Sequence, residues 1–137
     1  MSMHAWEGSV NKWEGLTPLD CRIEDLGRPA QFLLPVQKLG MSTPSGKDIR
    51  DDLHDFLLAE FGAFTTAHIP GFGIWRDAHG KAVVDDCTQY KVSFKGKDRI
   101  PVLLAKLKEV CQLMSEDCIY VEAGQYAGLL YPLKPSP

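Results

Sequence analysis

The sequence predicts an α+β fold of the ferredoxin-like type, β-α-β-β-α-β, an antiparallel sheet with two helices on one face. Three observations predict it. Two helix-length segments each carry a single apolar stripe. Between them lies a long strand-like stretch with a turn signal in its middle. A short apolar strand flanks each side of this arrangement. At 137 residues the chain is long enough for one compact domain. Residues 1–30 read as an irregular N-terminal arm and 31–137 as a single α+β domain. The runner-up is another α+β order in which the C-terminal segment pairs differently.

The arm carries Gly8, Gly15, Gly27, Pro18 and Pro29 and keeps no sustained period. Trp-Glu-Gly occurs twice, at Trp6-Glu7-Gly8 and Trp13-Glu14-Gly15. Tryptophan buries a large area, so Trp6 and Trp13 are expected to pin the arm to the domain surface. An arm that grips a partner is the alternative, but isolated apolar anchors normally pack on their own chain.

The first regular element is the apolar run Gln31 to Leu39, a strand closed by Gly40. Pro35 has no N–H to give a ladder, so this strand is expected at a sheet edge or with a bulge. Lys47 to Phe61 is the clearest helix, with Ile49, Leu53, Phe56, Leu57 and Phe61 along one stripe. Ser45 and Asp48 resemble a capping pair, and Gly62 is a natural C-cap. Leu58 lies opposite the stripe, and Glu60 lies within it.

Residues 63–95 read as one long hairpin. Its first strand is interrupted at Pro70-Gly71-Phe72-Gly73, and Asp77-Ala78-His79-Gly80 supplies the turn, with positive φ expected at Gly80. In the returning strand Tyr90, Val92 and Phe94 alternate with Gln89, Lys91 and Ser93. Asp98 to Met114 is the second helix, its stripe running through Ile100, Leu103, Leu104, Leu107, Val110, Cys111 and Met114. Asp98 is a suitable N-cap, and Pro101 falls in the first turn, where proline is tolerated. Cys118 to Glu122 is a last strand. Gly128 to Pro132 is a fifth strand or an extended cover.

The stretch Gly71-Phe72-Gly73-Ile74-Trp75-Arg76-Asp77-Ala78-His79-Gly80-Lys81-Ala82-Val83 resembles the signature of an uncharacterised bacterial family, a domain of unknown function. In that family a glycine and a Trp-Arg pair lead into an Asp-x-x-Gly turn at a hairpin tip. The resemblance covers about residues 32–122. It implies a ferredoxin-like fold and brings no activity with it. Many of its members look exported, whereas Met1 to Gly8 here shows neither a basic nor an apolar leader, so the expected compartment is the cytoplasm.

Composition narrows the function classes. Lys plus Arg is 15 against 18 for Asp plus Glu, a net charge of −3, which argues against general binding of nucleic acid. No apolar run approaches the roughly 20 residues needed to cross a bilayer. Cys21, Cys87, Cys111 and Cys118 make no C-x-x-C pair, so no zinc site is expected and reduced thiols are the default. Asp48, Asp51, Asp52 and Asp55 beside His54 have the oxygen ligands that a hard cation prefers. They lie opposite the apolar stripe, and a solvated face explains them more simply, so no metal is expected. No phosphate loop, G-x-S-x-G or H-E-x-x-H is present, and no cofactor is expected.

Trp75, Arg76 and Asp77 are the candidate binding tip, because tryptophan and arginine are favoured interface anchors. Ordinary turn chemistry competes with that reading, with Asp77 starting the turn through its side chain. Tyr120 and Glu122 alternate with Ile119 and Val121, so with Gln89 and Lys91 they are expected on the sheet face without helices. The reading this favours is a non-catalytic interaction module that pairs as a homodimer, through its sheet or its outer helix face. The alternative is a small cofactor-independent enzyme of the dimeric ferredoxin-like kind. Its pocket would lie between sheet and helices, with His68, Glu60 and Tyr120 as candidate catalytic groups.

Overall fold

The computed structural model describes residues 13–76 and 78–133. In chain order the elements are β1 (Arg28–Pro35), a 3-10 turn (Val36–Lys38), α1 (Ile49–Phe61), β2 (Thr65–Arg76), β3 (Ala82–Phe94), α2 (Arg99–Leu113), β4 (Ile119–Ala123) and β5 (Tyr126–Leu130). The strands form one antiparallel sheet in the order β2-β3-β1-β4-β5. This α+β architecture, with two helices against a five-stranded sheet, is compatible with the ferredoxin-like class expected from the sequence. The C-terminal segment contributes β5, the fifth strand allowed for above. No helix among the described residues is long and apolar enough to cross a membrane.

β1 runs through the middle of the sheet, paired on one side with β3 and on the other with β4. The expectation that Pro35 would force it to an edge is therefore corrected. Pro35 is the last residue of β1, opposite Cys87, and the chain turns directly into the 3-10 segment. A terminal residue can lack a ladder donor without breaking the pairing before it.

Strand alternation divides β1 between two environments. Ala30, Phe32 and Leu34 are buried, while Gln31, Leu33 and Pro35 on the opposite face are half-buried. Phe32 stacks on Tyr90 of β3, ring centroids 5.1 Å apart and planes 6° from parallel. Both helices pack on this face, closing a core with Leu53 and Leu57 from α1 and Leu103, Leu107 and Cys111 from α2. Phe56 is less deeply placed than its stripe position implies. It sits at the margin of the core beneath the Lys106 ammonium, which lies 5.4 Å from its ring centroid. Leu58 is exposed, as its position opposite the stripe requires.

The helix caps differ in detail from expectation. Asp48 alone caps α1, its side chain accepting from the Asp51 N–H at 2.8 Å, while the Ser45 hydroxyl bonds to that of Thr43. Asp98 sits at the start of α2 without a side-chain capping bond. Gly62 ends α1 with φ 83°, and Gly80 turns the hairpin with φ 79°. The long hairpin is β2 with β3, its register shifting between Ile69 and Gly73 around the Pro-Gly interruption.

Trp13 is 47% exposed, and Trp6 lies outside the described residues. Leu16, Leu19, Ile23 and Leu26 are also exposed along the arm. The regular structure begins at Arg28, slightly before the expected domain boundary.

Candidate functional site

Among the described residues the two helices occupy one face of the sheet and leave the other without a helix, and the site follows from that asymmetry. Register assigns side chains to the open face. Gln31 is directly opposite Glu122, Leu33 is opposite Gln89, and Tyr120 is opposite Leu129. All of these residues line one cleft of about 690 Å³, within the range of small-molecule sites. Pro35, Cys87 and Tyr131 add apolar wall, while Arg76, Asp85, Glu116 and Asp117 add charge.

A row of hydrogen bonds crosses the bottom of this cleft over three strands. The Gln89 Nε2 donates to Gln31 Oε1 at 3.1 Å. The Gln31 Nε2 donates to Glu122 Oε1 at 2.8 Å, and the Tyr120 hydroxyl donates to Glu122 Oε2. The backbone sets up each contact. Tyr120 and Glu122 are two apart on one strand and so share a face. Gln31 and Glu122 are a direct cross-strand pair, and Gln31 and Gln89 are diagonal neighbours. The bond from Tyr120, and then that from Gln31, holds the Glu122 carboxyl below its ordinary pKa, while the bond to Glu122 raises the Tyr120 phenol. Glu122 is therefore an ionised acceptor at neutral pH and Tyr120 a protonated donor.

The rest of the cleft is also tied down. Lys38 and Glu116 form an ion pair at its margin. A hydrogen bond from Tyr131 to Cys118 raises the Tyr131 pKa. Arg76 donates to the Gly80 carbonyl at 3.0 Å across the hairpin turn and also lines the cleft.

Of the residues singled out in the sequence, Tyr120, Glu122, Gln89 and Arg76 come together here. Lys91 shares the open face but stands outside the cleft. Asp77 and the Trp75 side chain lie outside the described residues. The other two catalytic candidates are elsewhere. His68 pairs with Thr88 and so carries the parity of Tyr90, which belongs to the helix side of the sheet. Glu60 is at the exposed end of α1, accepting from Arg99 at 3.0 Å. The cleft is not the pocket between sheet and helices that the enzyme alternative expected. Core side chains fill that space, and the hollow lies on the opposite face.

Gln31 was missed from sequence. Its polarity between Ala30 and Phe32 marked it as facing away from the core, but only the register shows that it meets Glu122. Three aspartates on the acidic face of α1 have protein partners. Asp48 caps the helix, Asp52 binds Lys106 at 2.6 Å, and Asp55 pairs with Lys47.

No family model matches the sequence, and no curated protein matches it. Two solved structures share the fold. One is a phage SAM lyase in complex with S-methyl-5′-thioadenosine, with a TM-score of 0.52 and 14% identity over 83% of this chain and 96% of that one. The other is a phage SAM lyase in the apo state, with a TM-score of 0.50 and 16% identity over 85% of this chain and all of that one. At these identities the likeness establishes the fold. The sequence-based reading of a non-catalytic interaction module is corrected by this finding: both of these structures are of a phage SAM lyase, which favours the enzyme alternative.

Proposed function

We propose that the chain is an enzyme whose active site is the cleft on the open sheet face, and that it cleaves S-adenosylmethionine to S-methyl-5′-thioadenosine. One observation carries the reading: a cleft of about 690 Å³ with the Glu122 carboxylate on its floor, in a fold shared with a SAM lyase. The finer fold assignment belongs with it. The chain is a ferredoxin-like sheet, β2-β3-β1-β4, extended at one edge by β5.

The chemistry needs little beyond positioning. The bond between the sulfonium and the aminobutyryl chain breaks, and its electron pair goes to sulfur, leaving a neutral thioether. The substrate's own carboxylate takes the carbon and closes a five-membered lactone. No water, proton or redox partner enters, and the ammonium keeps its charge throughout. Positive charge therefore disappears at sulfur as the barrier is crossed. A carboxylate held against sulfur would stabilise the ground state more than the transition state and slow the step. Sulfur belongs instead against the apolar wall of Leu33, Pro35 and Leu129, where losing a charge is favoured. Holding the substrate folded on itself, with carboxylate and carbon in contact, supplies the rest of the acceleration.

The test is incubation of the purified chain with S-adenosylmethionine and detection of S-methyl-5′-thioadenosine by liquid chromatography and mass spectrometry. Formation above the enzyme-free blank is expected, with a loss of about tenfold or more in Glu122→Gln, which removes a charge that the site holds in place. Absence of product above the blank would overturn the proposal, whether or not calorimetry shows either compound to bind.

A further inference from the structure

Glu122 is an anion without a cation. Among the described residues no lysine, arginine or histidine forms an ion pair with it; its partners are the neutral Gln31 and Tyr120. The direction of the whole row follows from that charge. A carboxylate can only accept, so Gln31 must present its amide N–H₂ to Glu122 and its carbonyl to Gln89. Gln89 must then present its own N–H₂ to Gln31. Two amides are thereby aimed through one anion, and neither has a second orientation that keeps both hydrogen bonds.

A carboxylate has about four lone-pair directions, and Gln31 and Tyr120 occupy two of them. Glu122, Asp85 and Asp117 line the cleft against one lining cation, Arg76, so the local field still favours a positive ligand group. A sulfonium has no N–H or O–H to offer those lone pairs; a primary ammonium has three. We infer that Gln31, aimed by Gln89, is a positioning residue that holds the Glu122 carboxylate for a ligand's primary ammonium, so that the cleft takes the amino-acid half of an adenosyl amino acid as well as its nucleoside. The inference rests on the adenosyl ligand proposed above and adds the group that Glu122 reads. It agrees with the charge argument, because the ammonium keeps its charge through the reaction and binding it costs the chemical step nothing.

Titration calorimetry with three probes separates the contributions. S-Adenosylhomocysteine carries ammonium and carboxylate on a neutral sulfur. Its deaminated analogue keeps only the carboxylate, and S-methyl-5′-thioadenosine has neither. S-Adenosylhomocysteine should bind about tenfold or more tighter than the deaminated analogue, as a charge-assisted hydrogen bond implies. Glu122→Gln should bring that ratio to about one. Gln31→Leu should lower it at least threefold, and Gln89→Leu should lower it less. Gln89→Leu leaves both direct partners of Glu122 in place, so it still reports on the row if Gln31→Leu fails to fold. Equal affinities in the unaltered chain, or a ratio that survives Glu122→Gln, would overturn the inference. The two proposals fail separately. A ratio near one with turnover of S-adenosylmethionine sinks the inference alone, and a high ratio without turnover sinks the lyase reading alone. Binding of none of the three probes sinks both.

Discussion

Replacing Phe32 with alanine tests the two-sided construction of β1 more directly than any change in the cleft itself. Phe32 is fully buried at the centre of the sheet, stacked on Tyr90, and its neighbour Gln31 points the other way into the cleft. The substitution removes a whole ring from a close-packed space, and large-to-small changes of this kind cost about 3–5 kcal/mol. The lost aromatic pair with Tyr90, worth about 0.5–1.5 kcal/mol in other proteins, places the expectation in the upper part of that range. Against a total stability of about 5–15 kcal/mol the variant should still fold. For a chain of this size the melting temperature should fall by about 10–20 °C. Urea denaturation followed by circular dichroism should give a lower midpoint with an unchanged slope, which marks a change in stability and not in compactness. Phe32→Leu should recover most of the loss, since it keeps much of the apolar volume. A loss below about 1 kcal/mol for Phe32→Ala would mean that β1 is not the central strand and that the register placing Gln31 beside Glu122 is wrong.

Three further outcomes follow from the same structure. Gly27 has φ +92°, and a Cβ there would stand 2.1 Å from the Phe94 carbonyl oxygen, so Gly27→Ala should destabilise more than Gly80→Ala, where nothing lies within 4 Å; denaturant midpoints decide between them. Burial, with Arg50 adding to it, lowers the His54 pKa below its ordinary value of 6.5. The unfolded chain therefore takes up the proton first as pH falls, so stability should decline as pH drops through about 6.5, and a melting series from pH 7.5 to 5.5 should show this in the unaltered protein and less in His54→Gln. Burial pushes the Cys111 thiol up to about 11, whereas Cys21 is exposed, so a thiol reagent at pH 8 should label Cys21 in the folded protein and Cys111 only after unfolding; equal labelling rates read by peptide mass spectrometry would contradict the core assignment.

Much of this architecture is legible in the sequence because it depends on local periodicity. The stripes of α1 and α2, the Gly62 cap, the Gly80 turn and the interrupted hairpin each need only a few neighbouring residues to specify them. The same holds for one half of the site: Tyr120 and Glu122 alternate with Ile119 and Val121, so their face follows from their spacing. Rules that ignore position within an element give the errors. Proline breaks a ladder only where a donor is required, and Pro35 ends its strand. Phe56 belongs to the stripe by angle, yet the core narrows toward Lys106. His54 falls on the acidic side of α1, but it is half-buried there against Phe64, its Nε2 2.9 Å from the Tyr90 hydroxyl of β3.

The other half of the site depends on which strands are neighbours, and alternation is silent on that. His68 and Gln89 are equally good polar candidates by spacing; one residue of parity in the register sends His68 to the helix side while Gln89 faces the cleft. Gln31 and Glu122 are 91 residues apart, and they meet only because β1 enters the sheet between β3 and β4. That insertion is set by the two helices, whose stripes each need the same apolar face of the sheet to cover them. Once β1 is central, the residues between its buried side chains must face the uncovered side, where no helix can shield them. A glutamine is stable at such a position when it can give and accept at once, and the amide of Gln89 and the carboxylate of Glu122 on the flanking strands supply both partners. The cleft is in this sense a consequence of the core: packing both helices on one face puts the polar row, and the charge it carries, on the other.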